Sequence, residues 1–170
     1  MDLKECIRLI PNYPKEGILF KDITPLLKNS DALQYTIKQM VKFCENKQPD
    51  IVVGPESRGF IFGTPLAYEL GAGFVPVRKP GKLPAEVERV EYELEYGTDA
   101  LEIHKDSIMP GQKVVICDDL LATGGTVQSA IQLIEKLGGE VVGICFLIEL
   151  TFLNGADKLK GYDVQSLIKY

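Results

Sequence analysis

The sequence predicts an α/β domain on a mostly parallel sheet, and three observations carry that prediction. Short apolar runs alternate with amphipathic stretches at helical spacing along all 170 residues. The connections between them are short and punctuated by glycine and proline. The interior of a run such as VVIC (114–117) is wholly apolar, as expected of a strand covered on both faces. With 45% hydrophobic and 25% charged residues, the chain suits one domain, which buries roughly 70% of its unfolded surface without staples.

The elements follow in order. In DALQYTIKQMVKFCE (31–45), Leu33, Ile37, Met40, Val41 and Cys44 share one helical face, with Ser30 or Asp31 as the N-cap. Ile51 to Val53 is a short buried strand, followed by the turn GPESRG (54–59) and a helix to about Leu70, where Gly71 supplies the stop. Phe74 to Arg78 reads as strand, and so does Lys113 to Cys117. Val127, Ala130, Ile131, Ile134 and Leu137 then mark a helix ended by Gly138-Gly139. Val141 to Ile148 and Val164 to Tyr170 are the remaining strands. Residues 87–104 break the rhythm: Val90, Tyr92, Leu94 and Tyr96 alternate with Glu91, Glu93 and Glu95, and Gly97-Thr98-Asp99 suits a turn. That pattern predicts an inserted antiparallel hairpin. The preceding RKPGKLP (78–84), with two prolines, a glycine and three cations, reads as a mobile loop leading into it.

A net charge of −5 argues against a nucleic-acid binder held by phosphate contacts, though not against a small anionic ligand in a local pocket. Cys6, Cys44, Cys117 and Cys145 show no CxxC spacing and sit mostly among apolar residues, so reduced thiols of a cytoplasmic protein are expected. The single histidine, His104, is expected to be structural. MDLKECIRLIPNYP has no apolar core of a signal peptide, and prolines, glycines and Glu69 interrupt the apolar stretch 60–77, which excludes a spanning helix there.

Function is concentrated in VVICDDLLATGGT (114–126). In a parallel α/β sheet, ligands sit beyond the carboxyl ends of the strands. Asp118 and Asp119 are expected at such an end, and Ala122-Thr123-Gly124-Gly125-Thr126 leads into a helix N-terminus with unpaired amides and a positive dipole. Such a loop suits a phosphate monoester. Two carboxylates would repel that phosphate, but they are acceptor-only groups suited to vicinal hydroxyls. Turn chemistry explains either half alone; their adjacency points to a ribose 5-phosphate.

DDLLATGGT resembles the phosphoribosyl-pyrophosphate (PRPP) signature of the type I phosphoribosyltransferases. GILFKDITPLL (17–27), ESRGF with FGTPLA (56–67), RKPGKLP (78–84) and EYELEYGTDALEIHKDSI (91–108) together resemble the adenine phosphoribosyltransferase family over nearly the whole chain. The resemblance implies the type I fold as a single domain over residues 1–170, with a small hood at about 1–30 and a flexible loop and flap at about 79–106. It implies AMP formation from adenine and PRPP in purine salvage, Mg²⁺ carried by PRPP, and a homodimer. Asp118 and Asp119 would hold the ribose hydroxyls, and Ala122, Thr123, Gly124, Gly125 and Thr126 the 5′-phosphate. Ser57, Arg58, Arg78, Lys79 and Lys82 would meet pyrophosphate, with a cis peptide expected before Ser57. Adenine would lie against Leu19, Phe20 and Lys21, with Leu150 on its far side. Lys21 departs from the family's usual arginine, so a stacked guanidinium would be lost. Glu95 matches the family's flap glutamate, which is expected to meet the base at N7, and Tyr96 would close the lid. The alternatives are a sibling enzyme using guanine, hypoxanthine, xanthine or orotate, or a PRPP-sensing regulator.

Overall fold

The structure, a computed structural model, describes residues 1–94 and 97–170. The chain divides into two compact units, Met1–Gln39 and Met40–Tyr170.

In the first unit, β1 (Arg8–Pro11) pairs antiparallel with β2 (Leu19–Asp22), setting Ile10 opposite Phe20 and Leu9 opposite Lys21. Asp22 then turns the chain, its carboxylate accepting from the Thr24 amide and hydroxyl, each at 2.9 Å. A short helix α1 (Thr24–Lys28) follows, and α2 (Ser30–Cys44) begins. The α2 cap is Asn29, one residue earlier than the sequence suggests. Its Oδ1 accepts from the amides of Asp31 and Ala32 at 3.0 and 3.1 Å, reaching two otherwise orphaned donors.

The second unit is built on five parallel strands: β3 (Ile51–Pro55), β4 (Gly73–Val77), β7 (Lys113–Leu121), β8 (Glu140–Glu149) and β9 (Val164–Lys169). Their order across the sheet is β4-β3-β7-β8-β9. Helices α3 (Gly59–Leu70) and α4 (Gly125–Lys136) make the crossovers. The core of this sheet is apolar, with Val53, Ile116, Ile134, Ile144 and Phe146 at 1% exposure or less. From β3 the chain winds outward to β4, and from β7 it winds the other way to β8. The sheet therefore reverses direction between β3 and β7, which opens a crevice at their carboxyl ends.

The type I fold class holds, with two differences in detail. Strand β7 runs on to Leu121, because Leu120 and Leu121 still pair with Ile148 and Glu149 of β8. Asp118 and Asp119 therefore lie within the last four residues of a strand, not beyond it. The inserted hairpin is present as β5 (Val87–Leu94) and β6 (Gly97–His104). Gly97, Thr98 and Asp99, expected as its turn, are strand residues paired with Leu94, Glu93 and Tyr92. Cross-strand pairing of Thr98 and Asp99 outweighs the turn preference of their sequence.

Cys44, Cys117 and Cys145 are buried and, with half-buried Cys6, free thiols. Hydrogen bonding to Cys145, then burial, pushes the Cys44 thiol up; for Cys145 a bond to Cys117, together with burial, outweighs an opposing bond to Cys44 and raises it. His104 accepts the Ala85 amide at Nε2, 3.3 Å away, and so ties the loop before β5 to the end of β6.

Candidate active site

A cleft of about 370 Å³ opens at the sheet reversal, lined by Glu56, Ser57, Arg58, Asp118, Asp119, Leu120, Ala122 and Thr126. It brings together six residues that the sequence nominated from two distant segments: Ser57 and Arg58 after β3, and Asp118, Asp119, Ala122 and Thr126 from β7 and the α4 approach. The Glu56–Ser57 peptide is cis.

The two aspartates are differently placed. The Asp118 Oδ1 accepts the Asp119 amide at 2.8 Å. A β-carbon on Gly59, the first residue of α3, would stand 2.9 Å from it and 3.2 Å from the Cys117 carbonyl oxygen, so the glycine leaves room for the carboxylate. Burial, and next the charge of Asp119, hold the Asp118 carboxyl above the usual carboxylate range. Asp119 is 5% exposed and pairs with Arg58, whose Nε lies 2.5 Å from Oδ2. Hence a cation expected to meet pyrophosphate and a carboxylate expected to meet ribose here hold each other.

Gly124, in the left-handed region at φ 84°, turns the loop into α4. Gly125 differs, since a β-carbon there would meet only the Tyr92 ring at 3.7 Å, an ordinary contact. The protein's own packing does not require glycine at 125. The first amides of α4 have no intrahelical acceptors, so the loop presents donors at a helix N-terminus.

The other three cations expected at pyrophosphate are gathered by acids that the sequence reading passed over. Glu56 accepts the Lys79 amide at 2.7 Å and the Lys82 ammonium at 2.6 Å, and Arg78 Nε lies 3.4 Å from it. Burial alone would raise Glu56, but Lys82, the Lys79 amide and Arg78 together bring it below its ordinary value. The Lys79 ammonium bonds Asp99 on β6, which also accepts the Tyr92 hydroxyl at 3.1 Å. Asp99 is lowered chiefly by that lysine; for Lys79, the bonds to Asp99 and Tyr92 overcome burial and raise it. Glu102 holds the same loop from the hairpin, accepting the Gly81 amide at 3.1 Å while its backbone pairs with Arg78. The loop 78–84 is thus pinned at three carboxylates. Glu56 follows β3, and Asp99 and Glu102 both lie on β6, so it is the fold that sets these acids against the cation-rich loop.

Leu150 follows β8, and its amide donates to Leu121 O at 2.9 Å, tying it to the strand that carries the aspartates. Leu19, Phe20 and Lys21 belong to the first unit. There Phe20 meets Tyr13 edge to face, centroids 5.2 Å apart, and the Lys21 ammonium donates to Leu19 O at 3.1 Å. Burial lowers the Lys21 ammonium. Glu95 and Tyr96 lie outside the described residues.

Comparison with known proteins supplies the family. The phosphoribosyl transferase domain family matches residues 22–167. The chain is 63% identical over 170 residues to the adenine phosphoribosyltransferase of Alkaliphilus oremlandii, covering 100% of this chain and 99% of that one. The crystal structure of adenine phosphoribosyltransferase from Thermoanaerobacter pseudethanolicus superposes with a TM-score of 0.96 at 61% identity, covering 99% of this chain and 98% of that one. The Saccharomyces cerevisiae enzyme, complexed with an iminoaltritol bisphosphate and adenine, gives 0.93 at 44% identity, covering 98% and 96%. A family match over residues 22–167 and full-length identity of this order have one reading: the chain belongs to the adenine phosphoribosyltransferases.

Proposed function

We propose that this chain transfers the 5-phosphoribosyl group of PRPP to N9 of adenine, giving AMP and pyrophosphate in purine salvage. The observation that carries this reading is the meeting of Asp118, Asp119, Ala122 and Thr126 in one cleft, in a chain 63% identical to a named adenine phosphoribosyltransferase. The aspartates accept the ribose hydroxyls, and Ala122 to Thr126 cradle the 5′-phosphate. The spare room at Gly125 supports this, since a glycine not required by packing lets a ligand approach the backbone.

In the reaction, the bond between N9 and the anomeric carbon forms as the bond from that carbon to pyrophosphate breaks, through an oxocarbenium-like transition state. Charge develops on the leaving group, and Ser57, Arg58, Arg78, Lys79 and Lys82 receive it as prearranged donors and cations. Pyrophosphate must therefore take these cations over from Asp119, Glu56 and Asp99. The proton on the imidazole ring of adenine leaves as N9 bonds; Glu95 would take it at N7, with Tyr96 closing the lid against water. Phe20 stacks on the base, and the backbone at Leu19 and Lys21 reads its edge. Among the described residues no cluster of three or more His, Cys, Asp or Glu forms a metal cage. Asp118 and Asp119 suit a hydrated Mg²⁺ brought in on PRPP, and that ion would neutralise the departing pyrophosphate.

A homodimer and a cytoplasmic location complete the reading. Ile61 and Tyr68, 41% and 84% exposed on α3, offer an apolar surface for a second copy, and no described helix is long and apolar enough to cross a membrane. The test is to incubate the protein with PRPP and Mg²⁺ and, separately, adenine, guanine, hypoxanthine, xanthine or orotate. Nucleotide is expected from adenine; robust product from another base and none from adenine overturns the reading.

A further inference from the structure

We propose that Gly155 is a positioning residue for the 5′-phosphate loop, shaping it from behind by direct backbone contact. The inference rests on the reading of 122–126 as that loop. Gly155 opens a short 3-10 turn (Gly155–Leu159), far in sequence from the motif, and is buried. A β-carbon on Gly155 would stand 2.2 Å from the Ala122 carbonyl oxygen and 3.1 Å from the Gly124 nitrogen. The contact is mutual: a β-carbon on Gly124 would lie 2.8 Å from Gly155 O and 3.4 Å from Lys158 Cδ.

The conformation of Gly155 does not explain its identity, because it is not among the glycines at positive φ. Space alone demands glycine there. The atoms it would strike are backbone, which no rotamer change can move aside. The turn cannot readily retreat either, because Leu159, at its other end, is 2% exposed within the main core. With the turn anchored by Leu159, the loop has to move, and restoring ordinary contact displaces Ala122 O by about 1 Å. A shift of that size in a positioning element costs on the order of 100-fold. The loop's donors thus owe their placement to two segments, the motif itself and the 155–159 turn behind it.

The test is Gly155→Ala, read by the KM for PRPP and by the Kd for AMP and adenosine. The expected result is a rise of about 100-fold in the AMP Kd and the PRPP KM, with adenosine binding unchanged because it has no phosphate. A variant that melts earlier yet binds AMP and uses PRPP within about threefold of wild type overturns the proposal, since glycine would then serve folding alone. Where Gly155→Ala fails to fold, hydrogen exchange on the wild-type protein with AMP decides. Protection of both 122–126 and 154–159 supports the proposal. Protection of 122–126 alone overturns it, and leaving 122–126 unprotected overturns the phosphate reading beneath it.

Discussion

Arg58→Ala tests whether the ion pair with Asp119 is an organising contact of the cleft. The guanidinium Nε sits 2.5 Å from Asp119 Oδ2, with side-chain exposure of 48% for Arg58 and 8% for Asp119. An exposed pair contributes about 0–1 kcal/mol, whereas removing one partner of a buried pair costs about 3–5 kcal/mol. One end of this pair is wet and the other dry, so a loss of about 2 kcal/mol is expected, from stranding Asp119 beside Asp118. In a chain of this size that lowers Tm by about 4–8 °C. Asp119→Asn in the Arg58→Ala background should recover much of the loss, giving a coupling of about 1 kcal/mol or more in a double-mutant cycle. Thermal melts of the four proteins supply the cycle, and the PRPP KM, expected to rise at least about tenfold, supplies the functional arm. An unchanged Tm for Arg58→Ala, with coupling within error of zero, would refute the reasoning.

Two further outcomes concern pH. Asp118 is raised in the folded state by burial and by Asp119, so the native protein keeps a proton that the unfolded chain has lost just above the ordinary value of 3.8. Stability therefore falls as pH rises through that window; Asp118→Asn should flatten this slope in melts from pH 4 to 8 and melt no lower than wild type at pH 7, while PRPP turnover falls at least about 100-fold. Glu56 has the opposite sign: its folded value is depressed, so its contribution is present above the ordinary 4.5 and is lost as pH falls through the folded value. Glu56→Gln should cost about 1–2 kcal/mol at pH 7, with the gap to wild type closing on acidification; a gap independent of pH in denaturant titrations would show that Glu56 does not hold the loop by charge.

Much of this was legible in the sequence because the signals were local. The VVIC run and its neighbours gave buried parallel strands, and DDLLATGGT placed carboxylates and a glycine loop side by side. Ser57 and Arg58 were reachable only through resemblance, since nothing in GPESRG itself says that its strand lies next to β7. The roles of Glu56, Asp99 and Glu102 were hidden because each depends on which cation the fold brings opposite. Asp99 is an ordinary turn former in sequence, and only its register against Tyr92 sets it beside Lys79. Gly155 was invisible for a related reason: steric demand across a gap of some thirty residues leaves no periodic trace. The extension of β7 past Asp119 was set by its neighbour β8, not by its own residues.

The acids around the loop also bear on how substrate arrives. Arg58 pairs with Asp119, Lys79 with Asp99, and Arg78 and Lys82 share Glu56, so much of the positive charge near the cleft is offset by acids already in place, in a chain of net charge −5. A polyanion approaching from solution meets little attractive field at long range, because paired charges cancel beyond a Debye length of about 8 Å. Recognition begins at contact, by exchange of one anionic partner for another, so encounter rates should depend only weakly on ionic strength. Discrimination against other phosphorylated metabolites then falls to the fit of diol, phosphate and pyrophosphate together.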